Sequence, residues 1–403
     1  MKIIKDPVHG YIEVASPALD ILDSPALQRL RYIRQLGFSY LVYPGAHHTR
    51  FEHSLGTLHL ADVMARQLQL TREERDLVSA AALIHDIGHG PFSHAIESVM
   101  EELCGKPHYD PSWLLDDPGI VQTLERHAIS TDEVCAVLTG NDPLSGIIHG
   151  ELDVDRMDYL LRDAHYTGVP YGTVDAHRLI RNTLIADGQV VLGEGGINAA
   201  ESLLIARTLM RPAVYFHHVS RIAEMMFSAA VHAHLKRKPG ADPVAFMRLD
   251  DAGCMYSLLH SPSEVARVLM EQIYARTLYK RAVYVGMEQV SAALLARHPT
   301  PGEQRTITTE IADAAGVPPH EVLLDIPVFP QAMSIHVVVR NRHRAIGLEE
   351  ISPLVTTLNE TRRGQWRLGV YTPQALVPAV ATAAREILRI RPFTTQERLP
   401  LQP

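Results

Sequence analysis

The sequence contains few cysteines. Cys104, Cys135 and Cys254 are the three among its 403 residues, and no two of them form a Cys-x-x-Cys pair. Secreted domains that depend on disulfides carry denser cysteine patterns, and structural zinc cages need closely spaced thiolates. We therefore predict three separate thiols in a reducing compartment and no structural zinc cage.

Long apolar runs are also absent. No uncharged apolar stretch is long enough to span a bilayer, and residues 1–6 lack the apolar segment of a signal peptide. The sequence has no internal repeat and no low-complexity tract. These absences predict a globular cytoplasmic protein without a membrane partner.

Positive charge is in deficit. The net charge is −8 with histidine neutral, and 21% of the residues are charged. General nucleic-acid binding needs a surplus of lysine and arginine, so nucleic acid is not an expected partner. The apolar fraction of 46% is that of a globular protein, and a pocket inside it can still be locally cationic.

Most of the chain has a helical pattern. Apolar residues recur at helical spacing from residue 51 to about residue 297, which predicts a mainly α core. Residues 2–14 alternate between apolar and polar types and predict a short β arm. Ser24 followed by Pro25 predicts the start of a helix that continues to Gly37.

The last hundred residues have a mixed pattern. A Pro/Gly-rich segment at 298–302 predicts a boundary. Beyond it, residues 334–339 and 366–371 alternate as strands do, and helical patterns flank them. We therefore predict a core of residues 1–298 and a smaller α+β module of residues 299–403.

Four residues of the types that bind divalent cations stand in three separate segments. His85 and Asp86 are adjacent, His53 precedes them, and Asp155 follows. Two imidazoles and two carboxylates can hold one cation and leave positions open for water or a phosphate oxygen, which suits phosphoester hydrolysis. These donors suit manganese, iron, nickel, zinc or magnesium. Each residue alone is explained as well by a hydrogen bond or by solvation, whereas the four together favour one metal site.

The segment that contains the His-Asp pair is rich in histidine and glycine. Three histidines lie between residues 85 and 94, among glycines that would let a substrate approach the backbone. If the preceding helix continues, His85 and His89 lie one turn apart and share a face.

A polar stripe follows the fourth candidate ligand. Arg156, Tyr159 and Asp163 are spaced so that they line one side of a predicted helix. Arg156 can grip a phosphate, and Tyr159 can hydrogen-bond a sugar or phosphate oxygen. The alternative is an exposed face with an ordinary Arg–Asp pair.

Long strings of the sequence match a known family in order. They are residues 6–13, 28–37, 50–56, 85–94 and 153–163. Through them the chain resembles the HD-domain phosphohydrolases, and within these the deoxynucleoside triphosphate triphosphohydrolases of the sterile-alpha-motif/HD type. The resemblance implies an HD-domain helical bundle with a short N-terminal β arm and a smaller C-terminal α+β module. A sterile-alpha-motif domain is not expected before it.

The resemblance implies the roles of several residues. The four residues named above would bind one divalent metal ion. His94, standing against the attacked α-phosphate, and His127 would be catalytic, with Glu97 as an acidic partner that orients a histidine and keeps it a proton donor. In the implied reaction, water attacks the α-phosphorus and releases a deoxynucleoside and inorganic triphosphate.

The resemblance also implies substrate contacts. These are Arg50, His89 and Arg156 for the phosphates, and Gln35, Leu36, Tyr159 and Asp163 for the sugar. Leu36 would pack against the deoxyribose and leave little room for a 2′-hydroxyl. The family's base-contact string is only partly kept, because Arg211 lies further from His217 than in the family. The preferred base is therefore not predicted.

A regulatory site is implied as well. In the family, a guanine nucleotide activator binds residues that correspond to Lys2, Asp23, Gln28 and Arg31. Asp23 can accept hydrogen bonds from a guanine edge, and Lys2 and Arg31 can hold phosphates. Such nucleotides bridge subunits, which implies a homo-oligomer, either a dimer or a tetramer. The alternative is that Gln28 and Arg31 only decorate the first helix.

The predicted function is a metal-dependent phosphohydrolase that acts on deoxynucleoside triphosphates and is activated by a nucleotide. Two other functions stay open. HD sites also support nucleotidase or phosphodiesterase chemistry on mono- or cyclic nucleotides. An idle site would leave a nucleotide-sensing or single-stranded nucleic-acid-binding oligomer, against which the complete ligand set and the negative net charge argue.

Overall fold

The computed structural model describes residues 1–104, 117–237, 240, 242–291, 294–295, 299–338 and 345–391. The chain forms two compact units, each assembled from three segments. The first consists of Met1–His217, Asp242–Met255 and Ala332–Asn359, and the second of His218–Ala241, Tyr256–Gln331 and Glu360–Pro403. The sequence predicted one boundary, near residue 298, whereas the two compact units are interleaved along the chain. As a boundary between functional domains, residue 298 stays a prediction.

Helices make up most of the regular structure. They are α1 (Ala18–Leu22), α2 (Pro25–Arg29), α3 (Arg50–Gln67), α4 (Arg72–Ile84), α5 (Glu97–Cys104), α6 (Pro118–Arg126), α7 (Thr131–Thr139), α8 (Val154–Thr167), α9 (Ala176–Arg181), α10 (Ile197–Met210), α11 (His218–Arg237), α12 (Pro243–Met247), α13 (Asp251–Leu259), α14 (Glu264–Tyr274), α15 (Pro301–Ala315), α16 (Pro353–Gly364) and α17 (Val377–Ile387). The strands are β1 (Lys2–Asp6), β2 (Gly10–Val14), β3 (Thr183–Ala186), β4 (Gln189–Gly193), β5 (Lys280–Gly286), β6 (Leu323–Asp325), β7 (His336–Val338), β8 (Ala345–Gly347) and β9 (Arg367–Thr372).

Polar N-caps set where the helices around the candidate site begin. Thr49 and Thr71 cap α3 and α4, and each forms a capping box with the glutamate three residues later. Asp153 caps α8 and accepts a backbone N–H at 2.7 Å. Ser24 caps α2, with Pro25 at the first helical position, as predicted. Each cap satisfies a backbone donor that has no partner inside the helix.

The N-terminal arm is a hairpin, as predicted. β1 and β2 pair antiparallel, with Lys2 opposite Val14. The first unit also contains a four-stranded sheet in the order β3-β4-β7-β8, and the second unit contains a three-stranded sheet in the order β5-β9-β6. β7 lies within the segment predicted as a strand at 334–339, of which residue 339 is outside the described residues, and β9 overlaps the segment predicted at 366–371 and extends one residue beyond it.

One predicted helix is much shorter in the structure. The helix that begins at Pro25 ends at Arg29 and is followed by a 3-10 turn, Leu30–Tyr32, whereas the prediction extended it to Gly37. A 3-10 turn keeps apolar residues inward at nearly helical spacing. Spacing alone therefore did not show where the α-helix ends.

Each unit has its own apolar core. In the first unit, buried Leu58, Leu83 and Met157 belong to one cluster, and α3 packs against α4 and α8. In the second unit, Val370 and Val380 are buried between the three-stranded sheet and its helices. Full burial of one such side chain contributes about 1.5–3 kcal/mol. Packing around α3 brings the end of α4 and the start of α8 to the first turn of α3.

The predicted fold class is confirmed. The chain is mainly α, with an N-terminal β hairpin and a C-terminal part that contains both helices and strands. Cys135 and Cys254 are free thiols, and the side chain of Cys104 lies outside the described part of the structure. Across the described ranges, no helix is both long and apolar enough to cross a bilayer.

Candidate metal centre and substrate site

The four predicted metal ligands meet in the first unit. His53 is in the first turn of α3, Asp155 is in the first turn of α8, and the His85–Asp86 pair follows the last residue of α4. We call these four residues the ligand group. Because α4 stops at its C-cap residue His85, the predicted sharing of a helix face with His89 is wrong. A turn brings both histidines to Asp86 instead.

The distances within the ligand group fit one ion. Ligand atoms of His53, His85 and Asp86 all lie within 4.8 Å of one another. The two histidine Nε2 atoms are 3.3 Å apart. Oδ1 of Asp155 lies 2.9 Å from Nε2 of His53 and 3.8 Å from Nε2 of His85. Metal–nitrogen distances are about 2.0–2.1 Å, so that two donors of one ion lie roughly 3 Å apart.

Hydrogen bonds orient both imidazoles toward the same point. Nδ1 of His53 donates to Oδ2 of Asp158 at 2.7 Å, and Nδ1 of His85 donates to the carbonyl of Ala82 at 2.8 Å. A carboxylate and a carbonyl only accept, so each Nε2 is left with its lone pair. Two lone pairs beside the carboxylate of Asp155 need a positive charge between them. The donor set therefore fits a bound divalent cation.

The pKa shifts of His53 and Asp86 also indicate that this site favours a positive charge. Burial alone would lower the pKa of His53, but hydrogen bonds with Asp155 and Asp158 raise it to about 10. Burial alone would raise the pKa of Asp86, but Arg50 and the neighbouring histidines hold it well below its ordinary value. A proton on His53 occupies the place of a metal, because imidazole must be neutral to act as a ligand.

The predicted phosphate contacts Arg50 and His89 lie beside the ligand group. Nη1 of the buried Arg50 donates to Oδ2 of Asp86 at 2.7 Å, and Nε2 of His89 lies 3.3 Å from Oδ1. Arg29, which was not predicted as a site residue, donates to the backbone carbonyls of Ile87 and His89 at 3.1 and 2.7 Å. Arg29 therefore holds the turn that carries His89.

The third predicted phosphate contact, Arg156, has acidic neighbours. Its guanidinium hydrogen-bonds Asp153 and lies 4.0 Å from Glu151, which also pairs with Arg207. Burial alone would lower the pKa of Arg156, but Asp153 raises it above its ordinary value. A phosphate at Arg156 would therefore compete with these carboxylates for a permanently charged side chain.

The predicted catalytic His94 lies in a 3-10 turn, Ser93–Ala95. Its Nδ1 is 2.9 Å from Oε1 of Glu97, at the first residue of α5. The side chain of His94 is 62% exposed, and its ring centroid lies 5.5 Å from that of His89. An accessible imidazole beside the candidate phosphate contacts is suitably placed to transfer a proton.

His127 has a different environment. It is the C-cap residue of α6, and its Nε2 lies 2.7 Å from Oδ2 of Asp20 in α1. Among the residues that the structure describes, no hydrogen bond or ion pair joins His127 to His94 or to the ligand group. The catalytic role of His127 stays a prediction based on the resemblance.

Hydrogen bonds and ring contacts link three of the predicted sugar contacts. The backbone N–H of Gln35 donates to the carbonyl of His48 at 3.0 Å, and Nε2 of His48 lies 2.8 Å from Oδ1 of Asp163. Tyr215 donates its hydroxyl to Oδ2 of Asp163 at 2.8 Å, and its ring is edge-on to that of Tyr159. Both oxygens of Asp163 have partners, so a sugar contact there would be shared with His48 and Tyr215.

Gln35 and Tyr159 have properties of ligand contacts. Oε1 of Gln35 is buried without a hydrogen-bond partner in the described part of the chain, and a ligand hydroxyl would satisfy it. The ring of Tyr159 lies 6.5 Å from that of His53. Burial raises the pKa of Tyr159 to about 12, so its phenol stays a donor at neutral pH. Leu36 is half-buried against the core, next to Gln35.

The four predicted regulatory residues lie close together on the surface. Nζ of Lys2 is 3.4 Å from Oδ1 of Asp23, and both side chains are more than half exposed. Nε of Arg31 donates to Oε1 of Gln28 at 2.7 Å. Gln28 also donates to the carbonyl of Leu22, the residue before Asp23, at 2.9 Å.

Asp158 is a functional candidate that was not predicted. Its carboxylate is fully buried between His53, His9 and Arg162. A signal was present, because Asp158 and Arg162 are four residues apart on one helix and lie within residues 153–163. Only the structure shows that the two oxygens of Asp158 reach imidazoles from two other elements.

Comparisons with known proteins cover nearly the whole chain. The HD domain matches residues 50–163, which contain the ligand group, and the HD associated region matches residues 174–399. Protein MJ1154 of Methanocaldococcus jannaschii is 34% identical over 383 residues, which cover 93% of this chain and 80% of that protein.

The chain is also similar to two proteins described as phosphohydrolases. The deoxynucleoside triphosphate triphosphohydrolase SAMHD1 homolog of Dictyostelium discoideum is 33% identical over 310 residues; the match covers 69% of this chain and 59% of that protein, less than two thirds of its length. A phosphohydrolase from Bacteroides thetaiotaomicron of known structure superposes with a TM-score of 0.74 at 27% identity, covering 93% of this chain and 100% of that one. This chain therefore belongs to the HD-domain phosphohydrolase superfamily and carries the HD-associated region after its HD domain.

Proposed function

We propose that this protein hydrolyses deoxynucleoside triphosphates to a deoxynucleoside and inorganic triphosphate, with one divalent cation in the ligand group. The observation that carries the proposal is that Asp86, a member of the ligand group, also contacts both Arg50 and His89. Cationic and imidazole donors beside metal ligands suit a substrate that brings several phosphates. The similarity to a deoxynucleoside triphosphate triphosphohydrolase supports this substrate class.

The ligand group would hold the cation with two neutral imidazoles and two carboxylates, a donor set that manganese, iron, nickel, zinc and magnesium accept. When bound, the cation lowers the pKa of a coordinated water and polarises a phosphate P–O bond. The chain's own contribution is orientation. Hydrogen bonds to Asp158 and to the carbonyl of Ala82 hold the two imidazoles in place before any ligand binds.

Three side chains would offset negative charge on the phosphates. Arg50 and His89 lie beside the ligand group, and Arg156 lies on the same helix as Asp155. Groups held in place by the fold stabilise developing charge without reorganising during the reaction. Arg50 is suited to this role because it is buried and is already held by Asp86.

His94 would give a proton to the 5′-oxygen of the departing nucleoside. Its Nδ1 lies 2.9 Å from Oε1 of Glu97, which orients the ring, and Nε2 would be the nitrogen that contacts the substrate. A carboxylate that accepts a hydrogen bond from Nδ1 fixes the orientation in which the ring can transfer a proton. The exposure of His94 gives a substrate access to this ring. His127 is proposed as a second proton-transfer residue on the resemblance alone.

The sugar would bind near Gln35, Leu36 and Tyr159. The buried Oε1 of Gln35 can accept from a 3′-hydroxyl, and the phenol of Tyr159 can donate to a sugar or phosphate oxygen. Leu36 would occupy the space beside C2′. An apolar side chain there disfavours a 2′-hydroxyl, because that hydroxyl would be buried without a hydrogen-bond partner.

Product analysis tests the proposed reaction. The metal-stripped protein is incubated with each deoxynucleoside and ribonucleoside triphosphate and with each candidate metal, and the products are separated. Deoxynucleoside and tripolyphosphate are the expected products. Release of orthophosphate or pyrophosphate, or hydrolysis of mono- or cyclic nucleotides only, would assign nucleotidase or phosphodiesterase chemistry instead. Nucleotide binding without hydrolysis under any metal would assign a sensor.

A guanine nucleotide is proposed as the activator, bound by Lys2, Asp23, Gln28 and Arg31. The proposal is supported by two contacts among these side chains, the Lys2–Asp23 ion pair and the Arg31–Gln28 hydrogen bond, and by the hydrogen bond of half-buried Gln28 to the residue before Asp23. Hydrolysis of other deoxynucleotides is then expected to rise when guanosine triphosphate is added, together with a shift to a dimer or tetramer in analytical ultracentrifugation. Asp23→Ala should remove both effects. Rates and mass that do not respond to the nucleotide would contradict the proposal.

A further inference from the structure

The N-terminal hairpin contributes a side chain to the support of the metal centre. His9 lies in the turn between β1 and β2, and its Nε2 is 2.6 Å from Oδ1 of Asp158. The other oxygen of this carboxylate, Oδ2, is 2.7 Å from Nδ1 of His53. Asp158 therefore joins a histidine of the hairpin to a histidine of the ligand group.

Asp158 is part of a closed ring of hydrogen bonds. Arg162 donates from Nε and Nη2 to the two oxygens of Asp158, each at 2.9 Å, and from Nη1 to Oδ2 of Asp6 at 2.9 Å. Oδ1 of Asp6 accepts the backbone N–H of His9 at 2.8 Å. The ring thus runs from Asp6 through His9, Asp158 and Arg162 back to Asp6. None of the four side chains is more than 7% exposed.

The ring leaves Asp158 one orientation. A rotation of its carboxylate would break hydrogen bonds to the buried guanidinium of Arg162. Because both side chains are buried, water could not replace these hydrogen bonds. Because a carboxylate only accepts, His53 must keep a hydrogen on Nδ1 and presents the lone pair of Nε2 to the ligand group. The ring therefore determines which nitrogen of His53 is available to a metal.

We propose that His9 is a positioning residue of the metal centre. It holds Asp158 in place, and Asp158 holds the ring of His53. The hairpin is then a functional part of the HD site and not an appendage, although no residue of it touches the ligand group directly among the contacts of the described residues. The inference rests on the ligand group proposed above.

His9→Ala and His59→Ala form a matched pair for the test. The imidazole centroid of His59 lies 5.2 Å from that of His9. Within the described chain, no hydrogen bond joins His59 to the four residues of the hydrogen-bonded ring. Two quantities are measured on folded protein: the dissociation constant of Co²⁺ by competition with a chelator, and the visible absorption spectrum of the Co²⁺-loaded protein. We expect His9→Ala to bind Co²⁺ about 10–100-fold more weakly with an altered spectrum, and His59→Ala to stay within about twofold of wild type.

Two more variants separate positioning from loss of folding. His9→Gln keeps a donor for Asp158, so it should recover most of the Co²⁺ affinity. If His9→Ala does not fold, His9→Met takes its place, because methionine fills the space without donating a hydrogen bond. Equal losses in the His9 and His59 variants, or no recovery in His9→Gln, would overturn the inference.

His85→Ala distinguishes failure of the positioning role from failure of the ligand group. If His85→Ala loses Co²⁺ while His9→Ala binds it as wild type does, only the positioning role is wrong. If His85→Ala also binds Co²⁺ with wild-type affinity and spectrum, the ligand group is wrong and the inference falls with it.

Discussion

A Cβ atom at Gly56 would lie 1.9 Å from Oδ1 of Asp158 and 2.4 Å from Nη2 of Arg162. Gly56 is inside α3, where glycine costs about 1 kcal/mol of helix stability relative to alanine. This cost has a packing reason, since the missing side chain lets α3 approach α8 closely. The close approach lets Asp158 reach the imidazole of His53.

Gly56→Ala is expected to destabilise the protein, although alanine is the better helix former. The new methyl group would displace Asp158 and Arg162, and overpacking of this kind costs about 1–3 kcal/mol. Urea unfolding of the metal-free protein measures the change. Gly364→Ala is the control, because no atom lies within 4 Å of a Cβ at that position. If Gly56→Ala were as stable as wild type, the two helices would not be in the close contact described.

Asp155→Ala is expected to abolish hydrolysis and leave the fold intact. Its side chain is 31% exposed, so its removal leaves no buried cavity, but the cation loses one ligand. Activity and bound metal are measured after the metal has been stripped and added back, with circular dichroism to check folding. Asp62→Ala, which removes another partly exposed carboxylate of the first unit, should leave both unchanged. Wild-type turnover in Asp155→Ala would remove this residue from the ligand group.

His94→Ala should lower kcat about 100-fold or more and leave metal affinity unchanged, because a general acid acts on the substrate and not on the cation. Glu97→Gln should have a smaller effect in the same direction, since the glutamine still holds the ring but carries no charge. Single-turnover rates and Co²⁺ titrations measure the two properties separately. A parallel loss of rate in His127→Ala would confirm the second predicted catalytic histidine, and a wild-type rate would exclude it.

Leu36→Ala should weaken discrimination against ribonucleotides. The smaller side chain leaves room for a 2′-hydroxyl, and loss of such a contact changes relative kcat/KM by about 10-fold or more. The ratio of kcat/KM for matched ribo- and deoxyribonucleotides is measured. Leu68→Ala is the control, because Leu68 is also half-buried against the same core. An equal ratio in wild type and Leu36→Ala would show that the sugar does not contact Leu36.

The second unit should lose stability at high pH through Tyr371. Burial, and then the negative charge of Asp325, raise the pKa of this phenol well above its ordinary value. The buried, protonated phenol therefore contributes fully to stability below the unfolded pKa of about 10. As the pH rises beyond that value, the phenol ionises in the unfolded state but not in the folded state, and this contribution is lost. The free energy of unfolding should fall by about 1.4 kcal/mol per pH unit for this one phenol. Urea unfolding between about pH 8 and pH 11 should show a shallower slope for Tyr371→Phe, and equal slopes would contradict the assignment.

The sequence by itself determined which residues are the candidate metal donors and predicted that they belong to a helical core. His53, His85–Asp86 and Asp155 stand in strings long enough to be matched residue by residue, and apolar spacing placed these strings on helices. The sequence did not show that α4 ends just before His85, because a helix end depends on which backbone groups find partners.

Only the tertiary structure decided how the donors are oriented. His9 and Asp158 are 149 residues apart in the chain, and His53 and Asp158 are 105 apart, yet these contacts determine which nitrogen of His53 faces the ligand group. His127 illustrates the same limit, since its partner in the structure is Asp20. Residue types and spacing specify which side chains are available for hydrogen bonding. The direction of each buried hydrogen bond depends on packing between elements that are distant in the chain, and only the folded chain brings those elements together.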